Sequence, residues 1–315
     1  MPKPIPSRTS LDLFPPVKGH HIEQAFAAEN RFVRDAAGLV LPNAWLLAEL
    51  SLLAYADPDV IRAELKNVAL SLVGAPINGR STQGFVAQGD GFAVAAFRGT
   101  EFFLPGRDPL NLLQGVIADF LTDSQVALVA APRPAQGRIH QGFLAALDGD
   151  KVFDQLNDRL ADVRRNQPGA KIWFTGHSLG GALAILAAAR LSGIQGVYVY
   201  GAPRVGDASF GKALAVRTIR FVHGSDAVTQ FPTFGLLVPP RFPSLGRYQP
   251  NGEIVAIDRN GRLRRAGILG ALGVGVGGLP TRILENLNRL LTNDLIDHAP
   301  IFYAIHIRNL LERSR

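Results

Sequence analysis

The chain of 315 residues has no cysteine and one methionine. Without cysteine there can be no disulfide framework and no thiolate metal site, and the compartment is left open, since such a chain folds in either redox setting. Charge is also sparse, at 19% of residues against 47% hydrophobic. No uninterrupted apolar run reaches the ~20 residues of a membrane-spanning helix, and no internal repeat is evident. No clustered ligand motif calls for a metal, so neither metal nor cofactor is expected. The first residues, Met1-Pro-Lys-Pro-Ile-Pro-Ser-Arg8, lack an apolar core of the signal-peptide kind. They imply a cytoplasmic location, with signal-independent export as the alternative. Residues 1–25 read as a Pro-punctuated arm, and residues 26–315 as one large α/β domain with room for a sizeable core.

The charge that is present has a sign. Lys and Arg outnumber Asp and Glu by 33 to 26, a net +7, which suits an anionic lipid surface or simply keeps an apolar protein soluble. The basic residues are scattered, with clusters only at Arg164-Arg165 and Arg259 to Arg265, and no aromatic interleaving accompanies them. Nucleic acid is therefore not an expected partner. The sequence leaves the oligomeric state open.

Glycine is abundant, with 33 residues, and two glycines frame the most informative stretch, Lys171 to Arg190. A short apolar run, Ile172 to Thr175, reads as a buried strand. Gly176-His177-Ser178-Leu179-Gly180 fits G-x-S-x-G, and the Ala/Leu run from Ala182 to Leu191 has the composition of a buried helix. Strand, sharp turn and helix make the pattern a nucleophile elbow rather than a chance match. Ser178 is the expected nucleophile, and the helix start behind it offers backbone N–H groups to an oxyanion.

The rest of the chain alternates. Asn43 to Ala56 reads as a buried helix, Val60 to Leu72 as an amphipathic helix, and 84–88 with 91–97 as a hairpin closed by Gly-Asp-Gly. Glu101 to Val116 is a loop that mixes Phe102, Phe103, Leu104, Leu110, Leu112 and Leu113 with Pro, Gly and Asn, the character of a lid or binding loop. Regular structure resumes at 117–121. A strand over 125–131, a helix following 137–143, a helix over 151–165, strands at 196–201 and 218–222, and a helix over 208–216 follow. Such alternation implies a mostly parallel central sheet covered on both faces.

A serine elbow needs a base and an orienting acid, in the chain order Ser, Asp or Glu, His. Downstream of Ser178 stand His223, His298 and His306. His298 precedes Pro300, which suits the first turn of the final helix, and it is the preferred base. His306 falls inside that helix, and His223 is too close in sequence to Asp226 to be its partner. Asp226, just past a strand end, is the preferred acid. Asp297 competes, although it adjoins His298 and so points elsewhere, and Asp207 reads as a helix N-cap. His177 could polarise the site or simply pack in the elbow. His140 reads as structural, and His20 and His21 belong to the arm. The first oxyanion donor is expected at the Leu179 N–H, the second at Arg98-Gly99-Thr100, where Thr100 offers an N–H and a hydroxyl.

With these residues assembled, the chain resembles the class 3 lipases, the fungal-lipase-like group of α/β-hydrolases. The resemblance rests on Phe97-Arg-Gly-Thr100, Ile117-Ala-Asp119, Ile139-His-Gln-Gly-Phe143, Thr175 to Ala182, Tyr200 to Gly206, Asp226, Asp297-His298, and a hairpin-like segment from Tyr248 to Gly261. It implies an α/β-hydrolase fold, a Ser178–His298–Asp226 triad, an oxyanion hole at Thr100 and Leu179, and Asp119 as the residue that holds the Thr100 hydroxyl. It also implies a triacylglycerol lipase working at a lipid–water interface with peripheral membrane contact. Phospholipase A1, a soluble short-chain esterase, and an inactive lipid-binding relative are the alternatives. The segment between Thr100 and Asp119 is longer than the fungal lid, and Val116 replaces the usual Trp before Ile-Ala-Asp. Apolar insertions at 230–243 and 266–280 are added; they rim the acyl pocket or dip into a lipid surface, or else form a buried, close-packed segment.

Overall fold

A computed structural model describes residues 2–8, 13, 21–22, 32–100, 127–232, 247–265 and 295–314. Its centre is a nine-stranded sheet. Strands β3 (Gln83–Gly89) and β4 (Phe92–Phe97) form the expected antiparallel hairpin around Asp90-Gly91. From β4 the sheet runs parallel through β7 (Lys171–His177), β8 (Ile194–Tyr200), β10 (Thr218–His223) and β12 (Glu253–Ile257). β1 (Ser71–Leu72) and β2 (Ile77–Asn78) pair antiparallel to β3, and β13 (Leu263–Arg265) pairs antiparallel to β12. β4 is apolar along its whole length and β7 is buried from Ile172 to His177, because both faces are covered.

One face carries α1 (Leu41–Leu53) and α7 (Pro300–Arg313), which pack their Trp45, Leu47, Phe302 and Tyr303 against Trp173, Tyr198 and Phe221 of the sheet. The other carries α3 (Gln141–Asp148), α4 (Val152–Asn166) and α5 (Leu179–Ala189), which close over Phe97, Phe174 and Val199. Helix α1 is apolar around its circumference because it lies between the sheet and α7. Helix α5 is built of small residues, which lets its backbone approach the strands closely: a Cβ on Gly181 would lie 2.7 Å from the Ala202 Cβ.

Several helices end earlier than the sequence pattern suggests, α1 at Leu53 rather than Ala56 among them. α2 covers Pro58–Asn67 rather than reaching Leu72, because Ala69 turns to φ 55° and the chain enters β1. α6 covers Ala208–Ala213 rather than reaching Val216, since Leu214 is extended. A small second sheet was not foreseen. It joins β5 (Leu128–Ala130), β6 (Arg138–His140), β9 (Gly206–Asp207) and β11 (Tyr248–Gln249), and two of its members are too short to leave a pattern.

Of the arm, Leu13 and Ile22 are buried in the core on the α1 face, and His21 Nδ1 lies 2.6 Å from Glu64. The lid segment 101–116, with Phe102, Phe103, Leu104, Leu112 and Leu113, lies outside the described residues. So do Asp119, residues 233–243 of the first insertion and the whole of the second.

Candidate active site

The carboxyl ends of β4, β7, β8 and β10 lie side by side, and each leads into a loop. Gly99 and Thr100 follow β4, Ser178 follows β7, Gly201 follows β8, and Asp226 follows β10. Open α/β sheets collect ligands along this edge.

Ser178 sits at φ 56°, ψ −130°, a conformation that strains any residue with a Cβ. The turn is held by its N–H on the Tyr200 carbonyl at 2.9 Å and by its own carbonyl, which accepts from Gly181 N–H at 3.0 Å. Side chains at Gly176 and Gly180 would enter the backbone of Gly180 and of Phe97-Arg98 respectively, so the elbow closes only with glycine there. The loop after β4 presses on it: a Cβ at Gly99 would stand 3.1 Å from the Ser178 Cβ. This brings Thr100 and the first turn of α5 to the same side as Ser178. Leu179 opens that turn, and its N–H has no carbonyl four residues back within the helix.

One strand separates Ser178 from Asp226, a gap of roughly 10 Å at ordinary strand spacing. The imidazole of His298 stands on the Asp226 side of this gap. Its Nδ1 lies 2.9 and 3.0 Å from the two Asp226 carboxylate oxygens, with both side chains fully buried. The ring rests over the end of β8, where Gly201 adopts φ +60°; a Cβ there would stand 2.8 Å from Asp226 Oδ2 and 3.0 Å from His298 Nδ1. Nε2 is therefore on the edge of the ring turned away from Asp226. Asp226 also accepts from the Val228 N–H at 3.0 Å and from the Tyr303 hydroxyl at 2.5 Å. Burial and then the Asp226 charge push the Tyr303 phenol well above its usual pKa, so it stays a donor. Arg220, buried in β10, donates to the Ala202 and Pro203 carbonyls at 2.5 and 3.1 Å. Burial first, then Arg204, brings Arg220 down to about 10, while Tyr303 and Asp226 pull it up. It remains a cation near Asp226 at neutral pH.

His177 packs in the elbow, with its ring 4.5 Å from that of His298. Its Nε2 lies 2.7 Å from the His298 carbonyl, which can only accept, so Nε2 carries the hydrogen. Burial and then the neighbouring His298 push its pKa well below 6.5, so the ring is neutral. Nδ1 must then accept from the Tyr55 hydroxyl at 2.9 Å. Tyr55 in turn accepts from the Gly99 N–H. A single relay thus joins the loop after β4, the elbow and the His298 loop. Neither Tyr55 nor Tyr303 was singled out from the sequence. Each is the one tyrosine of its stretch, 43–56 and 300–313, a polar tip that needs a partner once buried.

The competing residues lie elsewhere. Asp207 caps α6 through the Phe210 N–H at 2.8 Å, and His140 caps α3 and stacks on Phe143. His306 is buried against His223 at 4.9 Å. The Asp297 carboxylate faces Arg259 and the Ser225 N–H.

A family model described as Lipase (class 3) matches residues 94–236. Over this region the chain is similar to the class 3 lipases. The matched residues include Thr100, Ser178 and Asp226 and stop short of His298, which contacts Asp226. Similar proteins include secreted mono- and diacylglycerol lipase 1 of Fusarium solani, 37% identical over 30% of this chain and 29% of its own. The lipase of Rhizomucor miehei is 32% identical over 38% of this chain and 36% of its own. The chain thus spans about a third of the length of these relatives. Among solved structures, the native Rhizomucor miehei lipase propeptide complex aligns at a TM-score of 0.58 and 21% identity, over 81% of this chain and 78% of that one. A deletion mutant of the complex reaches 0.62 at 20% identity, over 96% and 98%. These neighbours share the α/β-hydrolase fold.

The relatives also correct one expectation. The proteins of Fusarium solani and Penicillium cyclopium are named as secreted lipases, which overturns the cytoplasmic location inferred from the N-terminal residues and points to an extracellular one. No helix among the described residues is long and apolar enough to cross a membrane.

Proposed function

We propose that the protein is a serine carboxylic ester hydrolase that cleaves acylglycerols at a lipid–water interface. The observation that carries this reading is the strained Ser178 set one strand away from a buried, doubly contacted Asp226–His298 pair. In this reading His298 Nε2 takes the proton of Ser178 Oγ as that oxygen attacks the ester carbonyl. Asp226 holds the Nδ1–H and offsets the imidazolium charge. The N–H groups of Leu179 and Thr100 receive the tetrahedral oxyanion. His298 then returns the proton to the leaving alcohol, and water deprotonated by His298 releases the fatty acid from the acyl-enzyme. Relatives named mono- and diacylglycerol lipases support the acylglycerol class, and the net charge of +7 suits an anionic interface.

Fatty acid release from emulsified tributyrin, phosphatidylcholine vesicles and dissolved p-nitrophenyl butyrate tests the substrate class. Tributyrin is expected to be cleaved fastest per active site. Preference for phosphatidylcholine would reassign the protein as a phospholipase A1, and preference for the dissolved ester as a soluble esterase. No turnover of any of the three would favour a silent lipid-binding module.

A further inference from the structure

We propose that Asp297, gripped by Arg8 and Arg259, is a positioning residue that sets the His298 loop against the Asp226 loop; this rests on the hydrolase reading above. Asp297 immediately precedes His298 and is fully buried. Its carboxylate accepts from Arg259 Nε and Nη2 at 3.0 and 2.7 Å, from Arg8 Nη1, and from the Ser225 N–H at 2.9 Å. Ser225 is the neighbour of Asp226, so one carboxylate ties the base loop to the acid loop without involving the imidazole. The Asp297 carbonyl makes a second tie, accepting from His223 Nδ1 at 3.0 Å. His223 ends β10, and its N–H donates to the Tyr303 hydroxyl that in turn donates to Asp226.

The two arginines come from distant parts of the chain. Arg259 lies in the turn between β12 and β13. Arg8 belongs to the arm, which is fastened to α7 by reciprocal bonds between the Lys3 backbone and the Asn309 side chain at 2.7 and 2.8 Å. Arg8 also lies over the Phe302 ring at 5.9 Å. Burial opposes ionisation of Asp297, but Arg259, the Ser225 N–H, Arg8 and His223 together hold its carboxyl below the usual range. A buried ion pair is a poor device for stability alone, since apolar residues of similar volume serve as well or better. Here it joins the arm, the β12–β13 turn and both loops of the proposed triad at one point.

The experiment is kcat and KM for dissolved p-nitrophenyl butyrate in the full chain, with near-ultraviolet circular dichroism as the check on folding. Asp297→Asn keeps the shape and removes the charge. Displacing a reacting group by an ångström can cost ~100-fold, so kcat is expected to fall at least about tenfold with KM within about twofold. Arg8→Ala combined with Arg259→Ala should reproduce the loss, and Arg8→Lys with Arg259→Lys should restore most of it. Both arginine side chains are part-exposed, at 32% and 49%, so the paired variants decide the matter if Asp297→Asn does not fold. Folded variants with the wild-type kcat, or a loss confined to KM, would overturn the proposal. An inert wild type would instead refute the hydrolase reading and the proposal with it.

Discussion

Tyr55 and Tyr303 show what a single hydroxyl does when its surroundings are apolar. The Tyr55 hydroxyl accepts from Gly99 and donates to His177, so it fixes the distance between the loop after β4 and the elbow. Tyr55→Phe keeps the ring and removes this link. The expected outcome is a fall of about tenfold in kcat on a dissolved ester with KM little changed; an unchanged kcat would show that the loop holds its place without the relay. Tyr303→Phe leaves both Asp226 Oδ2 and the His223 N–H short of a buried partner. A stability loss of about 1–3 kcal/mol should follow, read from the urea midpoint. Sequence reasoning could pick out Ser178, Asp226 and His298 because chain order and motif constrain them, and the structure sets Asp226 and His298 in contact. It could not pick out the tyrosines. Their role depends on which backbone atoms meet them from more than 40 residues away, and no local pattern encodes that.

At the scale of elements, the site follows from the order of strands. Consecutive parallel strands β4, β7, β8 and β10 bring Thr100, Ser178 and Asp226 to one edge, and the imidazole crosses the end of the strand between the last two. That strand must end flush. Gly201→Ala would place a methyl group within about 3 Å of both Asp226 Oδ2 and His298 Nδ1, at a φ that disfavours alanine. Activity is expected to drop by two orders of magnitude or more, on the order of 100-fold, while the far-ultraviolet circular dichroism stays that of the wild type. Activity within about twofold of wild type would mean that the pair tolerates displacement. The parallel core was legible because its strands are short apolar runs bounded by turn residues, as in Ile172 to Thr175. The ends of α2 and α6 were not: the periodicity of 60–72 and 208–216 continues past the residues where Ala69 and Leu214 leave helical geometry. The two-residue strands β9 and β11 gave no signal because their pairing is set by distant backbone.

At the scale of the molecule, two apolar cores lie on either side of the sheet, and His177, His223 and His306 are among the histidines buried in or beside the first. Burial lowers the pKa of His177, His223 and His306, the last to about 4. Each is neutral in the folded chain and takes up a proton near pH 6.5 when unfolded. Between about pH 6.5 and 4 the unfolded state therefore binds more protons, and stability falls as the pH falls. His306, brought down to about 4 by burial, contributes to that loss across the window. The melting temperature should decline steadily from pH 7 to 4.5, and His306→Phe should flatten part of the decline. A melting temperature independent of pH over this range would contradict neutral burial.

The central claim is that Ser178 is a nucleophile activated by the Asp226–His298 pair. The direct measurement is covalent labelling by a fluorophosphonate, with the adduct located by mass spectrometry, in wild type, Ser178→Ala and Asp226→Asn. The account predicts a single adduct on Ser178, none in Ser178→Ala, and labelling slowed by a factor on the order of 10⁴ in Asp226→Asn, where Nδ1 loses its carboxylate. An adduct on another residue, or labelling of Asp226→Asn at the wild-type rate, would contradict it.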